Sequence, residues 1–384
     1  MTGTDRNRRE SGCDCRRERK RPPCGRNGGY GMEKIYGVVM AGGGGTRLWP
    51  LSTSKKPKQF LNLSGKETLV NEAIDRLAGV AQELFIVTNA AQAQEMLEQT
   101  AGRVPQDHIL KEPAARNTAA CIGYAAMTIM KKYGDGIMIV VPSDPYIRDE
   151  EGFCRTLREA AAAAEETDAL VTVGIRPTFP STGYGYIKNT ALEGKIWRRV
   201  EEFVEKPDEE TAKRYVKEGY VWNSGMFIWR ASTILSWFER LLPDIYACLE
   251  RLAEGFGTKD EESILWEVYP KIPKISVDYG IMERAEHVLM VPGDFGWSDV
   301  GGWDAFDALK ERDENGNITV GKTLLLDSRG CTAYSVDRLI AAVGVEDLII
   351  VQAGESVLVC PASQAQRVKE IVETLAGKGE TDYL

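Results

Sequence analysis

Short apolar runs alternate with longer segments of helical periodicity along the chain from about residue 35. Five of the runs predict strands: IYGVVMA, ELFIVTNA, HILKEP, GIMIVVPSD and ALVTVGI. The segments between them predict helices: ETLVNEAIDRLAG, AQAQEMLEQTAG, NTAACIGYAAMTIMKKYG and EGFCRTLREAAAAAEETD. This alternation predicts βαβ units with right-handed crossovers on a mixed, mostly parallel sheet. We therefore expect an α/β, Rossmann-like fold whose ligands bind at the carboxyl ends of the strands.

The pattern becomes less regular after about residue 175. Further strands are predicted at TGYGYIKN, RRVEEFVEKP and VWNSGMFIWR, and further helices at EETAKRYVKEG and ASTILSWFERLL. From about residue 317 the chain consists of short β runs separated by Gly, Asp and Ser turns, and it ends in the helical segment QAQRVKEIVETLAG. We predict an α/β domain over residues 32–314 and a small β-rich domain over 315–384. The turn spacing in the second domain fits either a few coils of a left-handed β-helix or a small sheet.

The first 31 residues are rich in Arg, Gly and Pro and almost lack large apolar side chains. Such a segment cannot bury enough apolar surface to fold, so we predict a disordered basic extension. A basic interaction arm is one alternative, and a functional start at Met32 is another. The formal net charge of -9 argues against a nucleic-acid partner. Because no apolar run approaches the length of about 20 residues that spans a bilayer, we expect a cytoplasmic protein without a membrane partner.

Four consecutive glycines occupy the end of the first predicted strand, in AGGGGTRLWPLSTSKKPKQFL over residues 41–61. A Rossmann fingerprint counted from Gly42 or Gly43 would place Arg47 or Leu48 where a glycine is required, so that interpretation fails. A P-loop is excluded because no Gly-Lys-Ser/Thr triplet follows at its spacing. A looser phosphate cradle remains, in which successive backbone N–H groups face an anion. The alternative is a flexible turn with solvated basic residues.

Seven motifs occur in an order that resembles the sugar-nucleotide pyrophosphorylases. They are GGGGTRLWPLSTSKKPKQFL, KEPAARNTAA, VPSD, TGYGYI, FVEKP, WNSGMF and FGWSDVGGW. The first motif is similar to the form found in the mannose-1-phosphate guanylyltransferase branch, because it has Trp-Pro after Arg-Leu and Gln-Phe-Leu after Pro-Lys. The resemblance covers nearly the whole chain from residue 35 onward. It implies a Rossmann-like nucleotidyltransferase domain that transfers GMP from GTP to α-D-mannose 1-phosphate. The products would be GDP-mannose and pyrophosphate, formed by in-line attack on the α-phosphorus.

The resemblance also implies roles for individual residues. Arg47 and Lys58 would be catalytic, and Asp144 and Asp299 would bind Mg²⁺. The expected nucleotide contacts are Gly42, Gly43, Gly44, Gly45, Thr46, Glu112, Asn117 and Thr118. The expected sugar-phosphate contacts are Gly183, Tyr184, Gly185, Glu205, Lys206 and Asn223.

Simpler interpretations of the same residues stay open at this point. A strand-end Asp is commonly a turn or N-cap residue, and an adjacent Glu-Lys pair such as Glu205-Lys206 is commonly an exposed ion pair. The family usually has His after the VPSD aspartate, whereas this chain has Pro145, so the local loop geometry is in question.

Three alternatives to the implied activity are the same reaction with another sugar or base, a catalytically silent regulatory homologue, and a bifunctional enzyme that also isomerises the sugar phosphate. The last would need an appended metal-binding cupin, and no histidine follows His287, so we expect one activity. We also expect a homodimer, as the short members of the family imply.

Overall fold

A computed structural model describes residues 33–384, and the predicted extension at residues 1–31 lies outside this part of the chain. Its strands are β1 (Ile35–Met40), β2 (Glu83–Asn89), β3 (Ile109–Glu112), β4 (Ile137–Pro142), β5 (Tyr146–Ile147), β6 (Leu170–Ile175), β7 (Tyr186–Ala191), β8 (Arg198–Val204), β9 (Val221–Arg230), β10 (Val288–Gly293), β11 (Trp297–Ser298), β12 (Ile318–Val320), β13 (Thr323–Leu326), β14 (Thr332–Ser335), β15 (Ile340–Val343), β16 (Leu348–Ala353) and β17 (Ser356–Pro361). Its α-helices are α1 (Leu69–Leu77), α2 (Ala93–Gln99), α3 (Asn117–Lys132), α4 (Glu150–Thr167), α5 (Glu209–Glu218), α6 (Ala231–Leu241), α7 (Pro243–Gly255), α8 (Glu261–Val268) and α9 (Val368–Gly377). No helix within residues 33–384 is both long and apolar enough to cross a membrane.

A nine-stranded sheet with the order β3-β2-β1-β4-β9-β6-β10-β8-β7 forms the centre of the fold. The strands β3, β2, β1 and β4 pair in parallel, as do β6 and β10. Only β8 and β9 run against the other seven strands of this sheet, because each pairs antiparallel with its neighbours. The expectation of a mixed, mostly parallel sheet is therefore confirmed.

Helices cover both faces of this sheet. Successive residues of β1 alternate between the two sides, so that Val38 and Val39 belong to different core clusters. One cluster joins β1 to Ile74 of α1 and Leu157 of α4, and the other joins it to Ile122 of α3. Burial on both faces explains why β1 and β4 read as continuous apolar runs rather than as alternating ones.

The segments after β1 and β4 are neighbours at one edge of the sheet. The two strands are paired in parallel with Met40 opposite Pro142, and the amide of Ser143 donates to the carbonyl of Met40 at 3.0 Å. The glycine loop and the VPSD segment therefore meet, although about 100 residues separate them in the chain. This confirms the neighbourhood predicted from the strand-end rule.

The C-terminal part consists of coils of a β-helix. Strands β12, β14 and β16 form one parallel ladder, and β13 and β15 form another. Thr323 pairs with Ile340 and Thr332 pairs with Ile349, which are 17 residues apart, whereas Ile318 pairs with Thr332, which is 14 residues away. The antiparallel strand β17 closes the first ladder. Of the two predicted forms, the β-helix is confirmed, and its left-handedness stays a prediction.

One face of the β-helix packs against the segment that follows the glycine loop. Val351 of β16 lies in the same buried cluster as Leu48, Trp49 and Trp303. The indole Nε1 of Trp49 also donates to the carbonyl of Tyr383, beyond α9, at 2.7 Å. The boundary at residues 314/315 stays a prediction, because the described chain from residue 33 to 384 forms one compact unit.

Several elements were not predicted from the sequence. They are the buried strand β10, the helices α7 and α8, the two-residue strands β5 and β11, and a π-helical turn over Asp278–Met282. The β5–β11 pair borders two residues of the candidate site, and the π-helical turn contains one.

Candidate active site

Lys58 connects two of the other predicted site residues. It begins a short 3-10 helix directly after Pro57, and only 4% of its surface is exposed, whereas Lys55 and Lys56 are exposed as expected. Its ammonium group donates to Oδ2 of Asp144 at 2.9 Å and to the main-chain oxygen of Asp299. The predicted catalytic lysine and both predicted metal ligands thus lie together.

A two-stranded ladder explains how Asp144 and Asp299 meet. Strand β5 begins two residues after Asp144, and β11 ends immediately before Asp299. The two strands pair antiparallel, with Ser298 opposite Tyr146. The ladder is too short to show any periodicity in the sequence, so the resemblance alone indicated that these carboxylates belong to one site.

The glycine loop is shaped by its last residue. Gly45 has φ +65°, a backbone conformation that favours glycine. A Cβ at this position would also overlap Cβ of Lys58, so both the backbone and the packing require glycine here. Gly43 and Gly44 face open space, and the carbonyl of Gly44 accepts a hydrogen bond from Ser52 at 3.0 Å. The loop therefore presents exposed backbone beside Lys58, as a phosphate cradle requires.

Glu112 lies beside the other end of the glycine loop. It ends β3 and is buried, and its Oε2 would be 3.2 Å from a Cβ placed on Gly42. The hydroxyl of Tyr269 donates to Oε1. Burial raises the pKa of Glu112, and the hydrogen bond from Tyr269 opposes this shift. Tyr269 was not expected from the sequence, since nothing in YPK distinguishes it from an ordinary core tyrosine.

The N-terminus of α3 carries Asn117 and Thr118. Asn117 is exposed and has φ +66°, and its Oδ1 accepts from the amide of Thr118 at 2.8 Å. The Thr118 hydroxyl oxygen accepts from the amide of Val277 at 2.9 Å. Thr118 thus joins α3 to the segment before Asp278, and Asn117 remains accessible to a ligand.

Arg47 and Thr46 lie in the turn after the glycines, and both are exposed. Within residues 33–384 the Arg47 guanidinium makes no hydrogen bond or ion pair, which leaves its full fork of donors for an anion. The Tyr184 hydroxyl donates to Oδ1 of Asp299. Burial, together with the charge of Asp299, raises the pKa of Tyr184, so this hydroxyl keeps its proton and stays a donor.

The remaining predicted sugar contacts form a second cluster next to Tyr184. The carbonyl of Gly185 accepts from the amide of Asn223 at 2.8 Å, and a Cβ on Gly185 would overlap Oε2 of Glu205. Lys206 forms an ion pair with Glu205, and its side chain is largely exposed. Gly183 is exposed, and its amide donates to the hydroxyl of Ser181 at 3.1 Å. Because a side chain at position 185 would meet Glu205 and Asn223, only glycine lets these three segments approach so closely.

Comparison with known proteins agrees with this geometry. The family model described as "Nucleotidyl transferase" matches residues 36–316. The chain belongs to this nucleotidyltransferase family. A second model, "MannoseP isomerase/GMP-like beta-helix domain", matches residues 321–375, in agreement with the coils formed by β12 to β17.

Relatives of this nucleotidyltransferase are similar over most of its length. The xanthan biosynthesis protein XanB of Xanthomonas campestris pv. campestris (strain B100) is 40% identical over 358 residues, which cover 91% of this chain and 75% of XanB. A mannose-1-phosphate guanylyltransferase of Salmonella montevideo is 38% identical over 365 residues, covering 91% of this chain and 76% of the relative. A crystal structure described as a mannose-1-phosphate geranyltransferase from Thermus thermophilus superposes with a TM-score of 0.82 at 38% identity, covering 89% of this chain and 99% of that one.

Pro145 does not prevent the nucleotidyltransferase from assembling its site. The residue is buried, and its carbonyl accepts from Nη2 of Arg76 at 3.4 Å. Asp144 nevertheless reaches Lys58. The replacement of the usual histidine therefore leaves the predicted metal ligand in the cluster.

Asp278 is a second polar residue, after Tyr269, that sequence reasoning missed. Asn223 donates through Nδ2 to its Oδ1 at 2.9 Å, which places the Asp278 carboxylate in the predicted sugar cluster. The available signal was weak: a single carboxylate in the otherwise uncharged run ISVDYGIM. Such a residue is more often a turn former.

Proposed function

We propose that this nucleotidyltransferase transfers GMP from GTP to α-D-mannose 1-phosphate and forms GDP-mannose and pyrophosphate. The observation that carries the proposal is a series of site residues across the cleft, each joined to the next by a contact or by a short stretch of chain. It runs from Gly42 and Glu112, through Gly45, Lys58, Asp144 and Asp299, to Tyr184 and the cluster around Asn223. A nucleotide at one end and a sugar phosphate at the other would meet at Lys58.

The reaction needs charge neutralisation more than it needs a general base. A phosphate monoester has a second pKa of about 6, so the attacking sugar phosphate is already mostly a dianion at neutral pH. The protein must bring two polyanions together and stabilise the charge that develops on the α-phosphate. Lys58 supplies a buried point charge for this purpose, and Arg47 supplies an exposed planar fork for phosphate oxygens.

Asp144 and Asp299 are suited to hold Mg²⁺. They come from different segments that meet at Lys58, whose ammonium group contacts the carboxylate of Asp144 and the main-chain oxygen of Asp299, and about 41% of the Asp144 side chain is exposed. Mg²⁺ is usually bound by one or two carboxylates together with substrate phosphates. When bound, the ion would add positive charge beside the phosphate oxygens.

The choice of guanine is supported by Glu112. An ionised carboxylate only accepts hydrogen bonds, and guanine presents adjacent N–H donors on its Watson–Crick edge. Tyr269 already donates to Oε1 and therefore fixes the carboxylate, while Oε2 faces Gly42. The remaining nucleotide contacts proposed are the backbone of Gly42 to Gly45 together with Thr46, Asn117 and Thr118.

A matrix of substrates tests the proposal directly. Pyrophosphate release should be measured for GTP, ATP, UTP and dTTP, each with mannose 1-phosphate and glucose 1-phosphate. We expect GTP with mannose 1-phosphate to give the highest kcat/KM. A preference for UTP or dTTP would contradict the guanylyl assignment, and absence of turnover with every pair would indicate a silent homologue.

We also propose that the protein works in the cytoplasm, where GTP is available, as a homodimer. A second copy would cover an apolar strip on the outer side of β13 and β15, formed by Leu324, Leu326 and Val343, which are each about half exposed or more. Light scattering after size-exclusion chromatography should give a dimer mass for the wild type and a monomer mass for Leu326→Glu. A monomeric wild type would contradict the assembly without affecting the activity proposal.

A further inference from the structure

Asp278 holds the side chain of Asn223 in one orientation. Asp278 is the first residue of the π-helical turn Asp278–Met282, an irregularity that is frequent at functional sites. The Asn223 Nδ2 group donates to Asp278 Oδ1 at 2.9 Å. On the other side, Asn223 Oδ1 accepts from the amide of Gly225 at 3.1 Å. The hydroxyl of Thr172 lies 3.3 Å from the same oxygen and donates to the main-chain oxygen of Met226 at 2.9 Å. A flipped amide would place its NH₂ group against the N–H of Gly225 and its oxygen against the Asp278 carboxylate, so only one orientation satisfies both contacts.

The network leaves one donor of Asn223 free. An asparagine amide carries two N–H donors, and Asp278 occupies one of them. The backbone amide of Asn223 is bound to the carbonyl of Gly185, so the residue cannot move away from the cleft without breaking a strand contact. Asp278 itself is partly exposed, and its second carboxylate oxygen makes no hydrogen bond to another residue of the described chain.

We propose that Asp278 is a positioning residue for the sugar, which holds the Asn223 amide so that its free N–H donates to a hydroxyl of the sugar 1-phosphate. The inference rests on the proposed function and adds a specificity role to a residue outside the seven motifs. Hydroxyl recognition by a pre-oriented donor discriminates strongly, because a sugar without a matching oxygen leaves that donor without a partner.

The surroundings of Asp278 disfavour the ionised form of its carboxylate. Glu205, Lys206, Tyr279 and Glu283 are the charged or titratable groups around it. Burial, together with the charge of Glu205, raises the pKa of Asp278 to about 6, although Asn223 and Lys206 favour the charged form. A carboxylate whose folded pKa exceeds its unfolded value lowers stability at neutral pH. A purely structural position would be served better by a neutral residue, so the charge indicates a role in binding.

Steady-state kinetics with four variants test the proposal. Asp278→Ala should raise KM for mannose 1-phosphate by about 10-fold, the loss typical of a hydrogen bond to a charged group, and leave KM for GTP within about 2-fold. Asp278→Asn keeps an acceptor oxygen and should recover most of the affinity. In the Asn223→Ala background, Asp278→Ala should have no further effect. Glu286→Gln, which removes an exposed carboxylate of the same segment, is the matched control.

The pH dependence separates positioning from a general structural effect. Between pH 7.5 and 5.5 the ratio of KM for Asp278→Asn to KM for the wild type should approach one, because Asp278 becomes protonated; the substrate phosphate titrates equally for both enzymes. Asp278→Asn should have a higher melting temperature than the wild type at pH 7.5, and the difference should shrink at pH 5.5.

Equal KM for mannose 1-phosphate in Asp278→Ala and the wild type, or additive effects of Asp278→Ala and Asn223→Ala, would overturn the inference. A wild-type enzyme that uses no mannose 1-phosphate would instead overturn the proposed function. In that case the same variants should be compared on the sugar phosphate that the wild type does use.

Discussion

The indole Nε1 of Trp303 donates to the main-chain oxygen of Trp49 at 3.0 Å, between two segments more than 250 residues apart in the chain. Trp49 follows the glycine loop, and Trp303 follows the loop that carries Asp299. Both indoles are buried in the cluster that also contains Val351 of the β-helix. This hydrogen bond therefore connects the proposed nucleotide side of the cleft to the proposed metal side.

Trp303→Phe should destabilise the protein by about 1–3 kcal/mol, because a buried donor is removed and the Trp49 carbonyl loses its partner. We expect kcat to fall as well, since the two loops would no longer be held at a fixed separation. Urea denaturation and steady-state kinetics measure the two effects. Trp266→Phe, at a tryptophan that is 52% exposed, should change neither.

Lys58→Ala should reduce kcat by about 100-fold or more, the range found when a group that stabilises transition-state charge is removed. The fold should persist, because Asp144 is exposed enough to be solvated once its partner is lost. Circular dichroism and pyrophosphate release are the measurements. Lys55→Ala and Lys56→Ala remove exposed lysines of the same segment, and a comparable loss in either would contradict the role of Lys58.

Gly45→Ala should destabilise the protein by about 1–3 kcal/mol, because the added methyl meets Cβ of Lys58 and the backbone must keep φ +65°. The displaced Lys58 should also lower kcat. Gly43→Ala is the matched control for stability, since nothing lies within 4 Å of its Cβ position. Equal melting temperatures for the two variants would show that the loop relaxes around the new side chain.

Glu112→Gln should weaken GTP binding and reduce the preference for GTP over ATP, while stability at pH 7.5 stays equal or rises. The stability sign follows from the pKa of Glu112, which burial raises in the folded state. The charged form therefore costs stability above the folded pKa, and glutamine removes that cost. KM for both nucleotides and the melting temperature check this, with the exposed Glu98→Gln as control.

Tyr184→Phe should weaken Mg²⁺ binding by about 10-fold or more, as found when the hydrogen-bond partner of a metal ligand is removed. The tyrosine hydroxyl donates to Asp299 and holds that carboxylate toward the cleft. Titration with Mn²⁺ followed by electron paramagnetic resonance measures binding independently of turnover. Unchanged affinity would place Tyr184 on the sugar side only.

The regular part of the fold was accessible from the sequence because its signals are local. Strands such as β1 and β4 are continuous apolar runs, and α3 and α4 have clear helical periodicity. The antiparallel direction of β9 could not be predicted, because its pattern of buried residues is compatible with either direction. Strand direction is set by pairing across the sheet, which no local pattern records.

Site residues that belong to a sequence motif could be predicted from the sequence. Residues that join the site only through long-range contacts could not. Lys58, Asp144 and Asp299 were chosen from motifs, and the structure brings them together through the β5–β11 ladder. Asp278 lies in a π-helical turn, and Tyr269 begins a 3-10 helix directly after α8. Each reaches a predicted site residue through a hydrogen bond. Their surrounding residues are typical of ordinary core and turn positions, so only the three-dimensional contacts identify them.

The contact between the β-helix and the segment after the glycine loop offers a way to inhibit the enzyme without competing with either substrate. A small molecule that enters the buried cluster containing Leu48 and Val351 would loosen the turn that carries Arg47. Its potency should not fall as GTP is raised. Resistance changes should then arise among buried residues of the coils, remote from every atom that reacts.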